Sequence, residues 1–152
     1  MNTFRVVVGS DEAGYEYKQR IKTDLQSDSR VIEVTDVGVD ANGLTNYPTV
    51  AIRAAEMIAR GAADRAILIC GTGLGVAIAA NKVKGVRAAT AHDSYSVERS
   101  ILSNNAQILC MGQRVIGIEL ARKLVREWLS HTFDEASPSN AKVGEINSYE
   151  AH

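Results

Sequence analysis

Short apolar runs alternate along most of this chain with longer segments in which apolar residues recur at helical spacing. The runs predict five β-strands, at residues 4–9, 31–37, 65–70, 86–91 and 106–111. The longer segments predict helices at residues 14–26, 49–59, 76–83, 94–102 and 117–131. Such regular alternation of strand and helix favours an α/β fold built on a parallel sheet.

The central strands are almost continuously apolar, as in the run RAILIC at residues 65–70. This composition is typical of parallel sheets whose two faces are both covered by helices. We therefore predict a single-domain, doubly wound, Rossmann-like sheet of five parallel strands with helices on both faces. The domain is expected to span residues 1–133. The polar segment 134–152 is expected to be a C-terminal tail that is partly disordered or packs on a partner subunit.

The composition of the chain limits which kinds of molecule such a domain would bind. The chain has 152 residues, which suits one domain, and 17 Lys and Arg against 18 Asp and Glu leave a net charge of −1. That balance argues against nucleic acid or an anionic membrane as a partner. The N-terminus has no signal-peptide pattern, and no apolar run is long enough to span a bilayer, so we expect a cytoplasmic protein.

Cysteine and histidine are sparse. Two cysteines are too few for a disulfide framework, and both thiols are expected to stay reduced in the cytoplasm. The three histidines lie far apart, so no metal-ligand spacing can be read from the sequence. We predict a protein without a metal ion or an organic cofactor.

In a doubly wound sheet, ligands bind beyond the C-terminal ends of the strands. Polar residues at those positions are therefore the candidates for function. They are Ser10 to Glu12, Cys70 to Gly75, His92 with Asp93, and Gly112 to Arg114.

The sharpest of these motifs is ICGTGLG, which begins at Ile69, follows a strand and opens a helix. A turn of this kind can direct several backbone N–H groups at one anion. A P-loop would need Lys and Ser or Thr after its last glycine, but Val76 and Ala77 follow here. The dinucleotide pattern G-x-G-x-x-G fails by one residue, because the third glycine is Gly75. Nucleotide binding and a tight packing turn both stay open as alternatives.

The two cysteines stand in different settings. Cys70 ends an apolar run and directly precedes the glycine turn, where a helix N-terminus favours the thiolate form. Cys110 also ends an apolar run, but Met111 and Gly112 follow it without an equivalent turn. We predict a reactive Cys70 and a buried, structural Cys110.

Three stretches together resemble the type B ribose-5-phosphate isomerase family, which also contains galactose-6-phosphate and tetrose-phosphate isomerases. These stretches are GSDEAG at 9–14, ILICGTGLGVAIAANKVKGVRAA at 67–89 and NNAQILCMGQRVIG at 104–117. The similarity covers residues 5–133. The resemblance implies a cofactor-free aldose–ketose isomerase acting on a short sugar phosphate.

In that family, Cys70 would be the base that moves a proton between C1 and C2 through a cis-enediolate. The turn that follows, with Thr72 beside it, would stabilise the enediolate oxygen; its residues are Gly71, Thr72, Gly73, Leu74 and Gly75. The resemblance assigns the substrate to Asp11, Tyr47 and Asn104, and the phosphate to Arg114 and Lys142. The other candidate substrate-binding residues are Glu12 and Ser103, which stand at family site positions with a different residue, and His92, which follows a strand. It also implies a homodimer with active sites at the subunit interface, with a tetramer as the alternative.

Three positions depart from the family pattern. Glu12 stands where many relatives have a histidine, and a carboxylate there would repel a phosphate. Pro138 and Lys142 stand where ribose-5-phosphate isomerases have two phosphate-binding arginines. Ser103 stands where the family has the histidine that opens the furanose ring, and serine cannot do that acid–base work alone.

The absence of this histidine at position 103 affects which substrate is expected. Ribose 5-phosphate is largely a closed ring, whereas a tetrose 4-phosphate cannot close a five-membered ring because its O4 is esterified. The resemblance therefore leaves two substrates open, the ribose 5-phosphate pair and the erythrose 4-phosphate pair. His92 is the residue that could replace the missing group. A non-catalytic sugar-phosphate-binding subunit is the alternative function.

Overall fold

The structure, a computed structural model, describes residues 2–151 as a parallel five-stranded sheet with helices on both faces. The strands lie in the order β2-β1-β3-β5-β4. Their bounds are β1 Phe4–Ser10, β2 Val31–Asp36, β3 Arg65–Cys70, β4 Ala88–Thr90 and β5 Ile108–Gly112. The predicted doubly wound α/β fold is confirmed, and every strand pair is parallel.

Six α-helices connect or follow these strands. They are α1 Tyr15–Gln26, α2 Tyr47–Ala59, α3 Leu74–Ala80, α4 Ser94–Leu102, α5 Ile118–Leu129 and α6 Ser139–Glu150. A short 3₁₀ turn, Glu12–Gly14, precedes α1. Within residues 2–151, none of these helices is long and apolar enough to cross a membrane.

Two apolar layers hold the sheet between its helices. Side chains alternate along β1, so Val6 and Val8 pack with α1, α4 and α5, while Val7 packs with α2 and α3. The whole of β3 is buried, which is the reason its sequence lacks polar alternation. Trp128 is fully buried in the first layer, where each large apolar side chain stabilises the fold by about 1.5–3 kcal/mol.

Two helices begin earlier than predicted. α2 starts at Tyr47 rather than residue 49, because Pro48 fits the first turn of a helix, where its missing N–H is not needed. α3 starts at Leu74 rather than residue 76, because Leu74 and Gly75, the last two residues of the glycine turn, already belong to the helix. Gly73 has φ +77°, a left-handed value that glycine adopts without strain.

The segment after residue 133 contains a helix that the sequence pattern did not predict. α6 is polar around most of its circumference, and Val143 is its buried apolar residue, so no helical stripe marks it. Its last turn lies against the start of β4, where Glu150 accepts a hydrogen bond from the Gly85 N–H at 2.9 Å and Asn147 accepts one from Arg87 at 3.1 Å. The domain boundary at residue 133 and packing on a partner stay predictions.

Candidate active site

A cleft opens at the C-terminal edge of the sheet, above the neighbouring strands β1 and β3. From these two strands the chain runs to opposite sides, since β1 leads to the edge strand β2 while β3 leads towards β4 and β5. Crevices form at such switch points in parallel sheets. The cleft has a volume of about 340 Å³ and is lined by Asp11, Glu12, Ala13, Tyr47, Cys70, Gly71, Thr72, Gly75 and Arg114. Its size suits a small organic molecule.

Cys70 lies at the floor of this cleft. It is the last residue of β3 and its residue surface is 5% exposed. The N–H of Gly73 donates to the Cys70 Sγ at 3.2 Å, so the turn is folded around the sulfur. A backbone N–H directed at a sulfur stabilises negative charge there. The predicted link between the glycine turn and the thiol is therefore a direct contact.

Close backbone contacts explain the glycines on both sides of this turn. A Cβ added to Gly73 would lie 2.7 Å from the Met111 carbonyl carbon, and one added to Gly112 would lie 2.5 Å from the Thr72 carbonyl carbon. Gly75 in turn lies against the Tyr47 ring, which leaves no room for a Cβ. The turn thus fits between the end of β5 and the first turn of α2.

Arg114 forms the cationic side of the cleft. Its N–H donates to the Gly71 carbonyl at 3.0 Å, and a Cβ on Gly71 would lie 3.2 Å from the Arg114 Nη1. Among residues 2–151, its guanidinium has no carboxylate partner and no side-chain hydrogen bond. A planar cation left in this state can bind an anion with two parallel hydrogen bonds.

Two carboxylates line the same cleft as this arginine. Asp11 caps the 3₁₀ turn, where its Oδ1 accepts the Gly14 N–H at 3.2 Å. Burial raises the pKa of Asp11 above its ordinary value, the Gly14 N–H opposes that rise, and the charge of Glu12 adds to it. Glu12 is exposed and, within the described chain, has no ion-pair partner. The lining of the cleft therefore offers both hydrogen-bond acceptors and a cation.

A buried lysine supports the wall that carries Asp11. Lys18 is 1% exposed, and its ammonium donates to the two carboxylate oxygens of Asp36 at 2.9 and 3.0 Å and to the Val39 carbonyl. Val39 also pairs with Ser10, next to Asp11. Burial alone would raise the pKa of Asp36, but hydrogen bonds from Lys18 and its neighbours hold that pKa below its ordinary value.

Comparison with known proteins places this geometry in a family. Residues 6–146 match the family model described as Ribose/Galactose Isomerase. The chain belongs to the ribose/galactose isomerase family. The match spans almost the whole of the 152-residue chain, so the resemblance inferred from the three sequence stretches is confirmed.

Relatives of this isomerase family are similar over nearly their full lengths. The chain is 63% identical to D-erythrulose-4-phosphate isomerase 2 of Mycolicibacterium smegmatis over 96% of this chain and 97% of that protein. It is 47% identical to Ribose-5-P isomerase B of Listeria innocua over 91% and 92% of the two chains. A solved structure of Clostridium thermocellum Ribose-5-Phosphate Isomerase B superposes with a TM-score of 0.91 at 40% identity, covering 97% of each chain. The predicted class, an aldose–ketose isomerase, is confirmed.

Three residues that the family resemblance assigned to the substrate or its phosphate lie elsewhere. Ser103 and Asn104 follow α4 and precede β5, so they lie at the N-terminal edge of the sheet, opposite Cys70. The Ser103 Oγ accepts a hydrogen bond from Arg99 Nε at 2.7 Å, and Asn104 is exposed. Lys142 is exposed on α6, which packs against the same edge. One chain does not bring these residues to its own cleft.

His92 is not among the residues that line the cleft either. Its Nε2 accepts the N–H of Gly112 at 2.9 Å, behind the glycine turn. Burial lowers the pKa of His92, while the charge of Asp93 opposes that change. Asp93 itself caps α4, where its Oδ1 accepts the Ser96 N–H at 2.7 Å.

The predicted burial of Cys110 is present in the structure, and the reactivity of Cys70 stays a prediction. Cys110 is completely buried within β5, and burial, followed by the nearby Cys70, raises the pKa of its thiol. Within the described chain, no three His, Cys, Asp or Glu side chains cluster in a way that could hold a metal ion.

Sequence reasoning missed two residues that support the cleft. Lys18 lies on the buried stripe of α1 with Ile21 and Leu25, but a lysine is normally assigned to the exposed face. Its spacing of three and seven residues from those positions is the signal that could have revealed it. Thr90, at the end of the edge strand β4, carries no sequence signal of its own.

Proposed function

We propose that this chain is a cofactor-free isomerase that interconverts the aldose and ketose forms of a short sugar phosphate, with Cys70 as the base. The observation that supports this most is the Cys70 Sγ at the floor of the cleft, which receives the Gly73 N–H at 3.2 Å. Arg114, whose guanidinium has no carboxylate partner among residues 2–151, lines the same cleft. Base and anion-binding group thus face one small volume.

The proton transfer follows from this arrangement. The Cys70 thiolate removes the proton on C2 of the aldose, the C–H electrons form the C1=C2 bond, and the carbonyl π electrons move to O1. N–H groups of the turn 71–75 stabilise the resulting enediolate oxygen. Cys70 returns its proton to C1, and the O2 proton passes to O1 through the Thr72 hydroxyl, which leaves the ketone at C2. Asp11 accepts hydrogen bonds from the sugar hydroxyls.

The phosphate binds at the arginine side of the cleft. Arg114 donates to the phosphate oxygens, because its guanidinium is not committed to a carboxylate of the described chain. Glu12 lines the same cleft, so its carboxylate would repel a dianion placed beside it. A phosphate bound near Arg114 is therefore expected to lie away from Glu12, against Gly71.

We propose the erythrose 4-phosphate and erythrulose 4-phosphate pair as the preferred substrate. Two facts support it: Ser103 cannot open a furanose ring, and the relative that is 63% identical is named a D-erythrulose-4-phosphate isomerase. The ribose 5-phosphate pair is the second candidate, because the relative that is 47% identical is named for it.

The cleft is completed by a second copy of the chain. Ser103, Asn104 and Lys142 lie at the opposite edge of the sheet from Cys70, so they reach a cleft only across a homodimer interface. This arrangement predicts complementation between inactive subunits. Cys70→Ala and Asn104→Ala homodimers should each have low activity. Refolding the two together should restore activity up to about a quarter of the wild-type value, because half of the dimers formed are mixed and each has one intact site.

Side-by-side assays of erythrulose 4-phosphate, ribose 5-phosphate and allose 6-phosphate test the reaction and its substrate. We expect isomerisation with the highest kcat/KM on the tetrose. A higher kcat/KM on ribose 5-phosphate would reject the tetrose preference but keep the reaction. Binding without turnover of any of the three would instead favour the non-catalytic subunit.

The cofactor-free mechanism has its own test. Activity should persist in excess EDTA and after exhaustive dialysis. Loss of activity that a divalent ion restores would contradict it. A cytoplasmic location stays a prediction, motivated by the need to keep the Cys70 thiol reduced.

A further inference from the structure

Two side chains that do not line the cleft contact the glycine turn at residues 71–75 or the glycine packed against it. Both come from the segment at the end of β4, the edge strand farthest from β2. Thr90 is the last residue of that strand, and its Oγ1 donates a hydrogen bond to the Gly73 carbonyl at 2.7 Å. The contact is short, and the side chain is partly shielded from solvent.

This hydrogen bond fixes the direction of a backbone N–H. In a trans peptide, the carbonyl and the following N–H point in opposite directions from one rigid plane. Holding the Gly73 carbonyl towards Thr90 therefore directs the Leu74 N–H the other way. That N–H donates to the Thr72 Oγ1 at 3.2 Å, on a residue that lines the cleft. The Thr90 hydroxyl thus orients the Thr72 side chain through one peptide plane.

His92 acts on the same turn from a second direction. Its Nε2 accepts the Gly112 N–H at 2.9 Å, which requires a neutral ring that carries its proton on Nδ1. Gly112 lies against the backbone of Thr72, so closely that a Cβ there would be 2.5 Å from the Thr72 carbonyl carbon. Displacement of Gly112 would therefore be transmitted directly to Thr72.

We propose that Thr90 and His92 are positioning residues that hold the glycine turn in the geometry needed to stabilise the enediolate. The inference rests on the proposed isomerase function. It gives His92 a role behind the turn rather than at the sugar ring, because its Nε2 is already committed to Gly112. Neither side chain is among those that line the cleft.

Paired variants separate the hydrogen bonds from the bulk of these side chains. Thr90→Val removes the hydroxyl and keeps the shape, whereas Thr90→Ser keeps the hydroxyl. His92→Leu removes the acceptor, whereas His92→Gln can place an amide oxygen near the position of Nε2. Matched controls are Thr23→Val, which loses a hydrogen bond to the Gln19 carbonyl on α1, and His131→Gln beyond the end of α5.

We expect Thr90→Val and His92→Leu to lower kcat by about tenfold, less than the about 10²–10³ that loss of an oxyanion donor costs, with KM nearly unchanged. Thr90→Ser and His92→Gln should retain most of the activity, and the controls should match the wild type. Binding of a hydroxamate analogue of the enediolate should weaken by the same factor as kcat. Unchanged kcat in both Thr90→Val and His92→Leu, or equal losses in the conservative variants, would overturn the proposal. If both His92 variants lose turnover of ribose 5-phosphate but keep turnover of the tetrose, His92 would instead be the residue that opens the sugar ring.

A second measurement does not depend on catalysis. Hydrogen exchange of the amides at residues 71–75 should accelerate in Thr90→Val and His92→Leu, while exchange in α1 stays unchanged. Unchanged exchange in the turn would overturn the positioning role even if the wild type isomerises sugar phosphates. If exchange accelerates in the variants but the wild type isomerises no sugar phosphate, the proposed function would be rejected, while the role of Thr90 and His92 in holding the turn would stand.

Discussion

The two edges of the sheet carry similar polar residues but use them differently. At the C-terminal edge, Arg114 and Glu12 line the cleft without an ion pair to any residue of the described chain. At the N-terminal edge, Arg65 donates to the Trp128 carbonyl at 2.9 Å and to the His131 carbonyl. Arg87 there donates to the Asn105 carbonyl at 3.0 Å and to Asn147.

This difference separates groups that stabilise the fold from groups left for a ligand. A charged hydrogen bond inside the protein contributes about 1.5–3 kcal/mol to stability, and the donors that make it are no longer free for substrate. The cleft takes its shape from glycine contacts, from backbone hydrogen bonds and from side chains that do not line it, such as Lys18, Thr90 and His92. Its side chains can therefore change without unfolding the chain, and substitutions at the two edges should have opposite signatures.

The largest expected effect is at the floor of the cleft. Cys70→Ala should lower kcat by about 10²-fold or more, the scale of general base catalysis, with little change in melting temperature. Steady-state kinetics and a thermal melt measure the two quantities. Cys110→Ala is the matched control, and its activity should stay near the wild-type value. Nearly full activity in Cys70→Ala would remove the proposed base.

Substituting one arginine at each edge of the sheet tests whether the two edges differ in this way. Arg114→Ala should raise KM by about 10–100-fold, the equivalent of one charge-assisted hydrogen bond, while stability is kept. Arg65→Lys should do the opposite, because lysine lacks the planar fork that reaches two carbonyls. It should lower the melting temperature and leave KM unchanged. A stable Arg114→Ala enzyme with the wild-type KM would contradict the assignment of Arg114 to the ligand rather than to the fold.

Substrate choice tests a residue at the N-terminal edge. Ser103→His should raise kcat/KM on ribose 5-phosphate by about tenfold and leave the tetrose reaction unchanged, because only the closed ring needs an acid–base group, whose usual contribution is about 10²–10⁴-fold. The substitution also removes the hydroxyl that accepts from Arg99, so Ser103→Ala is the control for that loss. Equal gains on both substrates would contradict ring opening as the reason.

The smallest expected effect is a pH dependence of stability at His92. Its pKa in the folded state is lowered, mainly by burial, so the unfolded chain binds the proton first as pH falls below the ordinary value of about 6.5. The stabilisation is therefore fully present above that value and decreases on acidification. Melting temperatures between pH 7 and 5 should fall more for the wild type than for His92→Gln. Parallel curves would show that His92 does not contribute.

Much of this molecule could be predicted because its elements have local causes. The run RAILIC predicts a buried strand, because parallel strands between two helical layers have no polar face. The strand β3 has the bounds that this run predicted. The cleft position followed from the topology, since Asp11, Cys70 and Arg114 lie at or just after the C-terminal ends of strands. These inferences needed only periodicity, glycine placement and the rule of the switch point.

The parts that escaped prediction depend on distant contacts. α6 lacks an apolar stripe, and its position is marked by single hydrogen bonds such as Glu150 to Gly85, 65 residues apart. The contact between His92 and Gly112 joins residues 20 positions apart, which no spacing rule covers. The burial of Lys18 could not be predicted locally, because its partner, Asp36, comes from another element.

Because Cys110 is buried, the rate at which a thiol reagent labels it would report how often the native protein opens. A thiol reagent can reach the Cys70 sulfur through the cleft, whereas the Cys110 sulfur has no solvent-exposed surface until β5 separates from its neighbours. The first thiol to be labelled therefore measures occupancy of the cleft, since a bound ligand covers it. The second measures how often the central strands open, and its labelling rate counts these rare events in the native protein without denaturant.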